Sequence, residues 1–141
     1  MKHTNRIFAL LLALTLLCLC GCAGEEAPTG LWETATYTAD TELGEGSKTV
    51  TVAVTAEETT VTFTIHTDAE TLGDALLAEE LIAGEDSAYG LYITAVNGMT
   101  ADYDANKSYW AFYEGGEYAM TGVDGEAISG GEEYALVYTI G

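Results

Sequence analysis

The stretch TVTVAVTAEETTVTFTIHT, Thr49–Thr67, contains two runs in which apolar and polar residues alternate. In the first run the valines alternate with threonine or alanine, and in the second Val61, Phe63 and Ile65 alternate with threonines. A period of two places successive side chains on opposite faces of a strand. Because Glu57-Glu58 marks a turn between the runs, the stretch predicts a β-hairpin with one buried face and one wet face.

A helix is predicted directly after this hairpin, in the stretch TLGDALLAEELIAG that begins at Thr71. Asp74 follows Thr71 by three residues, which is the spacing of a capping box. The apolar residues that share one helical face are Leu72, Ala75, Leu76 and Ile82. Since Gly84 is a typical helix terminator, we expect a helix of about three turns that crosses the sheet.

Three further strands are predicted after the helix, at Leu91–Val96, Tyr109–Tyr113 and Glu133–Ile140. Asn97-Gly98 and Gly115-Gly116 follow the first two, and both pairs tolerate the positive φ of tight hairpin turns. A hairpin, one crossing helix and further strands predict an α+β fold of the β-grasp (ubiquitin-like) type. In that fold a mixed sheet packs on a single helix.

The first 22 residues have the order of a bacterial lipoprotein signal peptide. A charged start precedes the apolar run Ile7–Cys20, which is shorter than the roughly 20 residues that a membrane-spanning helix needs. Leu19, Gly21 and Cys22 resemble the lipobox, with Cys22 as the lipidated first residue of the mature protein. Two other interpretations of the cysteine cluster are disfavoured. A metal site usually needs a second ligand cluster downstream. A disulfide in a removed segment would stabilise nothing.

This order predicts residues 1–22 as signal peptide, residues 23–48 as an acidic flexible linker and residues 49–141 as one folded domain. Residues 31–38 of the linker are a candidate edge strand. A lipid anchor would place the domain outside the cytoplasm, attached to the cell membrane. After Cys22 the chain has 23 acidic residues and two lysines, so its net charge is 2 − 23, or −21. Such a charge excludes nucleic acid as a partner.

The sequence lacks the motifs of common catalytic chemistry. His66 is the only histidine after Cys22, and neither a Gly-x-Ser-x-Gly motif nor a phosphate-binding loop occurs. Asp102–Asn106 copies the first five positions of a calcium loop, but Lys107 and Tyr113 stand where that loop needs glycine and glutamate. A polar loop is therefore favoured over a weak calcium site. We expect a protein that is not an enzyme and that requires no cofactor or metal.

Several segments together resemble the transcobalamin-like C-terminal domain family. They are Thr71–Leu76, Tyr89–Gly98, Tyr109–Tyr113, Gly122-Val123 and Glu133–Thr139. The resemblance implies a β-grasp module that binds a soluble ligand. In the animal cobalamin carriers this module closes over one face of a corrinoid, and a helical barrel covers the other face. A cobalamin-type corrinoid is therefore the ligand that the resemblance implies for this chain.

The resemblance also implies a set of ligand-binding residues. They are Tyr92, Asn97, Trp110, Phe112, Tyr113 and Met120. Strand alternation separates Trp110 and Phe112 from the tyrosines on either side of them, so one set covers the helix and the other stays at the sheet edge. Exposed rings with hydroxyl groups suit stacking on a flat ligand. Ordinary core packing is the alternative role for each ring.

Two functions are consistent with these residues. The first is a lipid-anchored extracytoplasmic protein that binds a soluble small molecule, with a corrinoid implied, and presents it to a membrane transporter. The second is a protein-interaction or cell-surface module whose exposed strand edge pairs with a partner chain. Rings that line a concave pocket favour the first function, and an open hydrophobic strand edge favours the second.

Overall fold

The structure is a computed structural model that describes residues 28–141, and this part of the chain is mostly β-structure. The strands are β1 (Thr41–Gly44), β2 (Lys48–Ala56), β3 (Thr59–Thr67), β4 (Ile82–Ser87), β5 (Gly90–Val96), β6 (Met99–Thr100), β7 (Ser108–Glu114), β8 (Glu117–Tyr118) and β9 (Glu133–Ile140). The α-helices are α1 (Leu72–Ala78) and α2 (Tyr103–Asn106), and 3-10 helices cover Gly30–Thr34 and Val123–Gly125. None of the helices within residues 28–141 has the length and apolar character that a membrane crossing requires.

The strands form two sheets. The larger has six strands in the order β1-β3-β2-β9-β7-β8, and the smaller has three in the order β4-β5-β6. β9 runs parallel to β2, and β1 runs parallel to β3, while the remaining neighbours are antiparallel. The larger sheet is therefore mixed, with the predicted hairpin near its centre.

The hairpin predicted from Thr49–Thr67 is confirmed. β2 and β3 pair antiparallel, and Glu57 in the turn between them has a φ of 58°. Burial alternates along both strands. The buried side chains of β2 and β3 face the core together with Leu136 of β9, so one face of the sheet supplies most of the apolar contacts.

The predicted β-grasp fold class is wrong, because residues 28–141 form two sheets rather than one sheet on a single crossing helix. α1 ends at Ala78, about one turn earlier than expected. Its C-terminus is a Schellman motif, in which the Leu81 N–H donates to the Leu76 carbonyl at 3.0 Å and Glu80 adopts a φ of 55°. The residues predicted as the last helical turn therefore start β4.

Gly84 has a different role from the predicted helix end. It lies in β4, at a bulge in the pairing with β5. A Cβ atom at this position would collide with the carbonyl oxygen of Tyr92. The glycine is needed because the two backbones approach each other closely.

Part of the predicted linker is structured. Residues 31–38 do not form the expected edge strand, because Gly30–Thr34 is a 3-10 helix, and β1 is the strand that pairs with β3. Trp32 is buried in the core, and its indole N–H donates to the Ala56 carbonyl at 3.1 Å. The predicted signal peptide and its lipidation site, Cys22, lie outside the described residues.

Both predicted tight turns are confirmed. Asn97 and Gly98 have φ angles of 52° and 79°, and Gly115 and Gly116 have φ angles of 57° and 86°. Positive φ at both central residues is the geometry of a type I′ hairpin turn. The returning strands β6 and β8 have only two residues each, so strand pairing on these sides of β5 and β7 is limited to their last residues.

Candidate functional site

A cavity of about 340 Å³ opens where β5 of the small sheet lies beside β7 of the large sheet. β6 covers only the last two residues of β5, and β8 covers only the last two residues of β7. We call this cavity the aromatic hollow. Its lining residues are Leu91, Tyr92, Ile93, Tyr109, Trp110, Phe112, Tyr118, Ala119, Met120, Thr121, Gly122 and Val123.

The inner wall of the aromatic hollow is held rigidly by the core. The Trp110 indole N–H donates to the Met99 carbonyl at 3.2 Å, and its ring meets Tyr138 edge-on with centroids 5.6 Å apart. Phe112 stacks on Tyr134 with centroids 5.6 Å apart and an interplanar angle of 29°. Both inner rings are more than nine-tenths buried, so they present a fixed apolar surface to the hollow.

The rim of the aromatic hollow consists of side chains that solvent reaches. The exposed fractions are 45% for Tyr92, 60% for Tyr118 and 95% for Met120. Tyr118 meets Tyr113 edge-on, with ring centroids 5.6 Å apart, and this contact orients the Tyr118 ring. These rim side chains are free to contact a ligand, because they are not covered by the core.

The structure brings together four of the six predicted ligand-binding residues. Tyr92, Trp110, Phe112 and Met120 all line the aromatic hollow. Tyr113 does not line it, but its ring packs edge-on against the Tyr118 ring.

Asn97, the sixth predicted residue, is placed differently. It is buried, its side-chain amide donates to the Tyr37 carbonyl at 2.8 Å, and its side-chain oxygen accepts the Tyr37 N–H at 2.9 Å. Its side chain is therefore committed to the fold of the N-terminal segment.

Two aromatic lining residues, Tyr109 and Tyr118, were missing from the predicted set. The position of Tyr118 follows from the diglycine turn, because a two-residue loop after Glu114 pairs Tyr113 with Tyr118. The sequence therefore indicated the position of Tyr118, because the diglycine turn sets which residues of the hairpin pair. The second strand of that hairpin, β8, has only two residues and was not predicted as a strand.

The aromatic hollow itself is lined by uncharged residues, but carboxylates lie beside it. The Tyr134 hydroxyl donates to Glu126 Oε1 at 3.4 Å. Burial raises the pKa of Tyr134, and Glu126, Glu132 and Glu114 raise it further. Partial desolvation and the neighbouring Glu126 carboxylate likewise raise the pKa of Glu114. The surroundings of the hollow are therefore negative.

The calcium-like segment has a structural role. Asp102 caps α2, where its Oδ1 accepts the N–H groups of Asp104 and Ala105 at 3.0 and 3.1 Å. Across residues 28–141, the structure brings no three His, Cys, Asp or Glu side chains close enough together to hold a metal ion. The carboxylate that would lead a calcium loop is used for helix capping.

Comparisons with known proteins agree with this architecture. Residues 69–138 match the model of a family described as a domain of unknown function, DUF4430. No curated protein matches the chain. Haptocorrin in complex with Cbi has a similar structure, with a TM-score of 0.54, 20% identity and coverage of 70% of this chain. The chain spans 26% of haptocorrin, and at this identity the likeness concerns the fold alone, so it supports the predicted transcobalamin-like fold.

A second solved structure is more similar in sequence. It is the crystal structure of a "putative metal binding protein" from Ruminococcus gnavus ATCC 29149, with 38% identity and a TM-score of 0.64. The match covers 67% of this chain and 99% of the other. Because this relative is matched along almost its whole length and residues 69–138 fit the family model, the chain belongs to the DUF4430 family.

Proposed function

We propose that this chain is a binding protein that holds a flat, ring-containing small molecule, a cobalamin-type corrinoid, in the aromatic hollow. The observation that carries the proposal is the hollow between the uncovered edges of β5 and β7, with fixed inner rings and exposed rim tyrosines. Concave, mostly apolar cavities with a few polar groups are the usual sites for small molecules. Binding of this kind needs no bond to be made or broken.

The fold supports the same proposal. Haptocorrin, which shares the fold, was solved in complex with Cbi. In this chain the rings of Trp110 and Phe112 offer an apolar wall, and the hydroxyl groups of the rim tyrosines are able to bond polar groups at the edge of a macrocycle. A rigid wall also lowers the entropy that binding costs, because the inner side chains are already ordered.

The outer strands β1 and β4 give the interaction-module alternative less support. β1 has only four residues, and Asp40 beside it accepts the Thr62 N–H through its side chain at 2.8 Å. The outer strand β4 ends in Glu85, Asp86 and Ser87, which are all exposed. Short or charged edge strands discourage pairing with another chain.

The proposed place of work is the outer surface of the cell membrane, beside an uptake system. This part of the proposal rests on the lipobox that ends at Cys22. Two acyl chains on Cys22 would hold the protein stably at the membrane. Radiolabelled palmitate should label the protein, and Cys22→Ala should abolish the label and release the protein from membranes. A Cys22→Ala protein that still carries label would contradict the anchor.

The binding proposal is tested by titrating the purified protein with cobalamin and cobinamide while absorbance and tryptophan fluorescence are recorded. Trp110 lines the aromatic hollow and should report binding, whereas Trp32 lies beside Ala56 in the core. No spectral change at high micromolar concentrations would refute the corrinoid proposal.

A matched pair of variants tests the location of the site. Tyr92→Ala removes an exposed rim ring, and we expect about tenfold weaker binding with an unchanged fold. Tyr103→Ala is the control, because Tyr103 is 49% exposed against 45% for Tyr92 and does not line the hollow. Equal effects of the two substitutions would show that the ligand binds elsewhere.

A further inference from the structure

A second cavity adjoins the aromatic hollow. It has a volume of about 640 Å³, and its lining includes Glu114, Glu117 and Glu126. Both cavities are lined by the same four consecutive residues, Tyr118–Thr121, which we call the shared wall. The two cavities therefore lie next to each other and have this segment as a common boundary.

Two side chains of the shared wall are largely exposed to solvent. The side chains of Tyr118 and Met120 are 60% and 95% exposed, so they stand at the surface rather than under other elements. The aromatic hollow, at about 340 Å³, lies near the small end of the range of roughly 300 to 1,000 Å³ for ligand sites. A ligand with a large ring system would therefore extend across the wall into the second cavity.

Among residues 28–141, no ion pair joins a cation to the carboxylates on the far side of the wall. Glu114 and Glu117 are paired residues of the β7–β8 ladder, directly after the Tyr113–Tyr118 pair. Glu126 is held in place by the Thr121 hydroxyl at 3.2 Å and the Tyr134 hydroxyl at 3.4 Å.

The two lysines that follow Cys22 are both engaged elsewhere. Lys48 Nζ donates to the Ala69 carbonyl at 2.8 Å, and Lys107 Nζ lies 4.7 Å from the centroid of the Tyr103 ring. Partial desolvation and the neighbouring Glu126 carboxylate raise the pKa of Glu114. A cation bound beside it would favour the charged carboxylate and lower that pKa.

We propose that the site selects its ligand by charge. A planar compound lies with its apolar rings in the aromatic hollow and places a cationic or hydrogen-bond-donating group across the shared wall, among Glu114, Glu117 and Glu126. Anionic compounds of the same shape are rejected. This inference rests on the proposed function, because it uses the same aromatic hollow.

The test uses two three-ring planar probes, the cation proflavine and the anion anthracene-2-carboxylate, with the purified protein. At an ionic strength of about 0.15 M, distant charges are screened beyond about 8 Å. We expect proflavine to bind roughly tenfold more tightly than the anion. The two or three carboxylates at the wall attract the cation and repel the anion. Tyr92→Ala should weaken both probes, since it removes ring contact and not charge.

The double variant Glu114→Gln/Glu117→Gln should lose most of the preference for proflavine. The control Glu45→Gln/Glu58→Gln removes the same net charge at exposed positions that line neither cavity, and it should leave the preference intact. Equal affinity for both probes, or equal loss in the two double variants, would overturn charge selection while the proposed function survives. If neither probe binds and corrinoids give no response, both proposals are overturned.

Discussion

Asn97 shows how a single residue in a binding-like motif is used for folding. Its backbone has a φ of 52°, its N–H donates to the Leu81 carbonyl at 2.7 Å, and its carbonyl accepts the Thr36 N–H at 2.9 Å. The side chain makes two more hydrogen bonds to Tyr37. One residue therefore ties the N-terminal segment, the end of α1 and the β5–β6 turn together.

Asn97→Ala should destabilise the protein by about 2 to 4 kcal/mol. It removes both side-chain hydrogen bonds to Tyr37 and places alanine in the left-handed region. Urea denaturation followed by circular dichroism measures the free energy of unfolding. Asn97→Gly is the comparison, because glycine tolerates the positive φ and loses only the hydrogen bonds, so its cost should be about 1 kcal/mol smaller. An alanine variant as stable as the wild type would contradict this role.

The carboxyl group of Glu114 makes the folding stability of the protein depend on pH. Partial desolvation and the Glu126 carboxylate, with a contribution from Glu132, raise its pKa above the ordinary value of 4.5. Between the unfolded and the folded pKa, the folded protein holds more protons than the unfolded chain. Stability therefore falls as the pH rises through that window, and the loss is complete above the raised pKa.

Glu114→Gln should remove this loss. We expect the variant to match the wild type at pH 4 and to have a higher urea midpoint at pH 7, because glutamine carries no charge to repel Glu126. Glu117 and Glu132 are also near Glu114 and are present in both proteins, so only the difference between the proteins is interpreted. Glu58→Gln serves as the control at a remote exposed position. A difference that is the same at both pH values would argue against the Glu114–Glu126 interaction.

At the scale of elements, the end of α1 decides the fold more than its beginning. The start behaves as predicted, since the Thr71 hydroxyl accepts the Asp74 N–H at 3.2 Å. The end depends on Glu80, which takes the left-handed conformation without being glycine. This early stop allows the next residues to extend as β4 and to build the second sheet, on which one side of the aromatic hollow depends.

Glu80→Gly should stabilise the protein by about 0.5 to 1 kcal/mol. A non-glycine residue in the left-handed region costs about 1 to 2 kcal/mol, and part of the gain is lost to the greater freedom of glycine in the unfolded chain. Thermal and urea denaturation both measure the change. Glu79→Gly should instead destabilise, because Glu79 has a φ of −89° that any residue adopts. Glycine relieves no strain there and only adds freedom to the unfolded chain. A destabilising Glu80→Gly would disprove the Schellman stop.

At the scale of the whole molecule, the folded unit begins well before the first long strand. Trp32 is 6% exposed within the core, and β1 adds a parallel strand beside β3. The segment before residue 49 therefore covers apolar surface that the hairpin would otherwise expose. Its acidic, threonine-rich composition hides this role, since Trp32 is the only buried residue among residues 28–48.

Trp32→Ala should lower the free energy of unfolding by about 3 to 5 kcal/mol, because it leaves a large cavity and removes the hydrogen bond to Ala56. Trp32→Phe should lower it less than alanine does, since phenylalanine keeps most of the ring volume.

The same reasoning predicts that residues 49–141 alone unfold at lower urea concentration than residues 28–141. Equal stability of the two lengths would mean that the N-terminal segment contributes nothing.

The sequence by itself determined the local elements of this protein: the β2–β3 hairpin, the start of α1, the two glycine-containing turns and the strand over Glu133–Ile140. Alternation and turn chemistry depend on neighbours a few residues apart, so they can be recognised in a sequence. Four residues of the aromatic hollow were also predicted, from family resemblance.

Only the tertiary structure decided the strand order, the division into two sheets and the hollow between β5 and β7. Val52 pairs with Tyr134 far along the chain, and Leu81 and Ile82 fit either a helical or a strand pattern until their neighbours are known. These choices are made by the burial of apolar surface across the whole molecule, which is a sum over distant contacts. For the same reason the burial of Asn97 and the exposure of Tyr118 could be learned only from the folded chain.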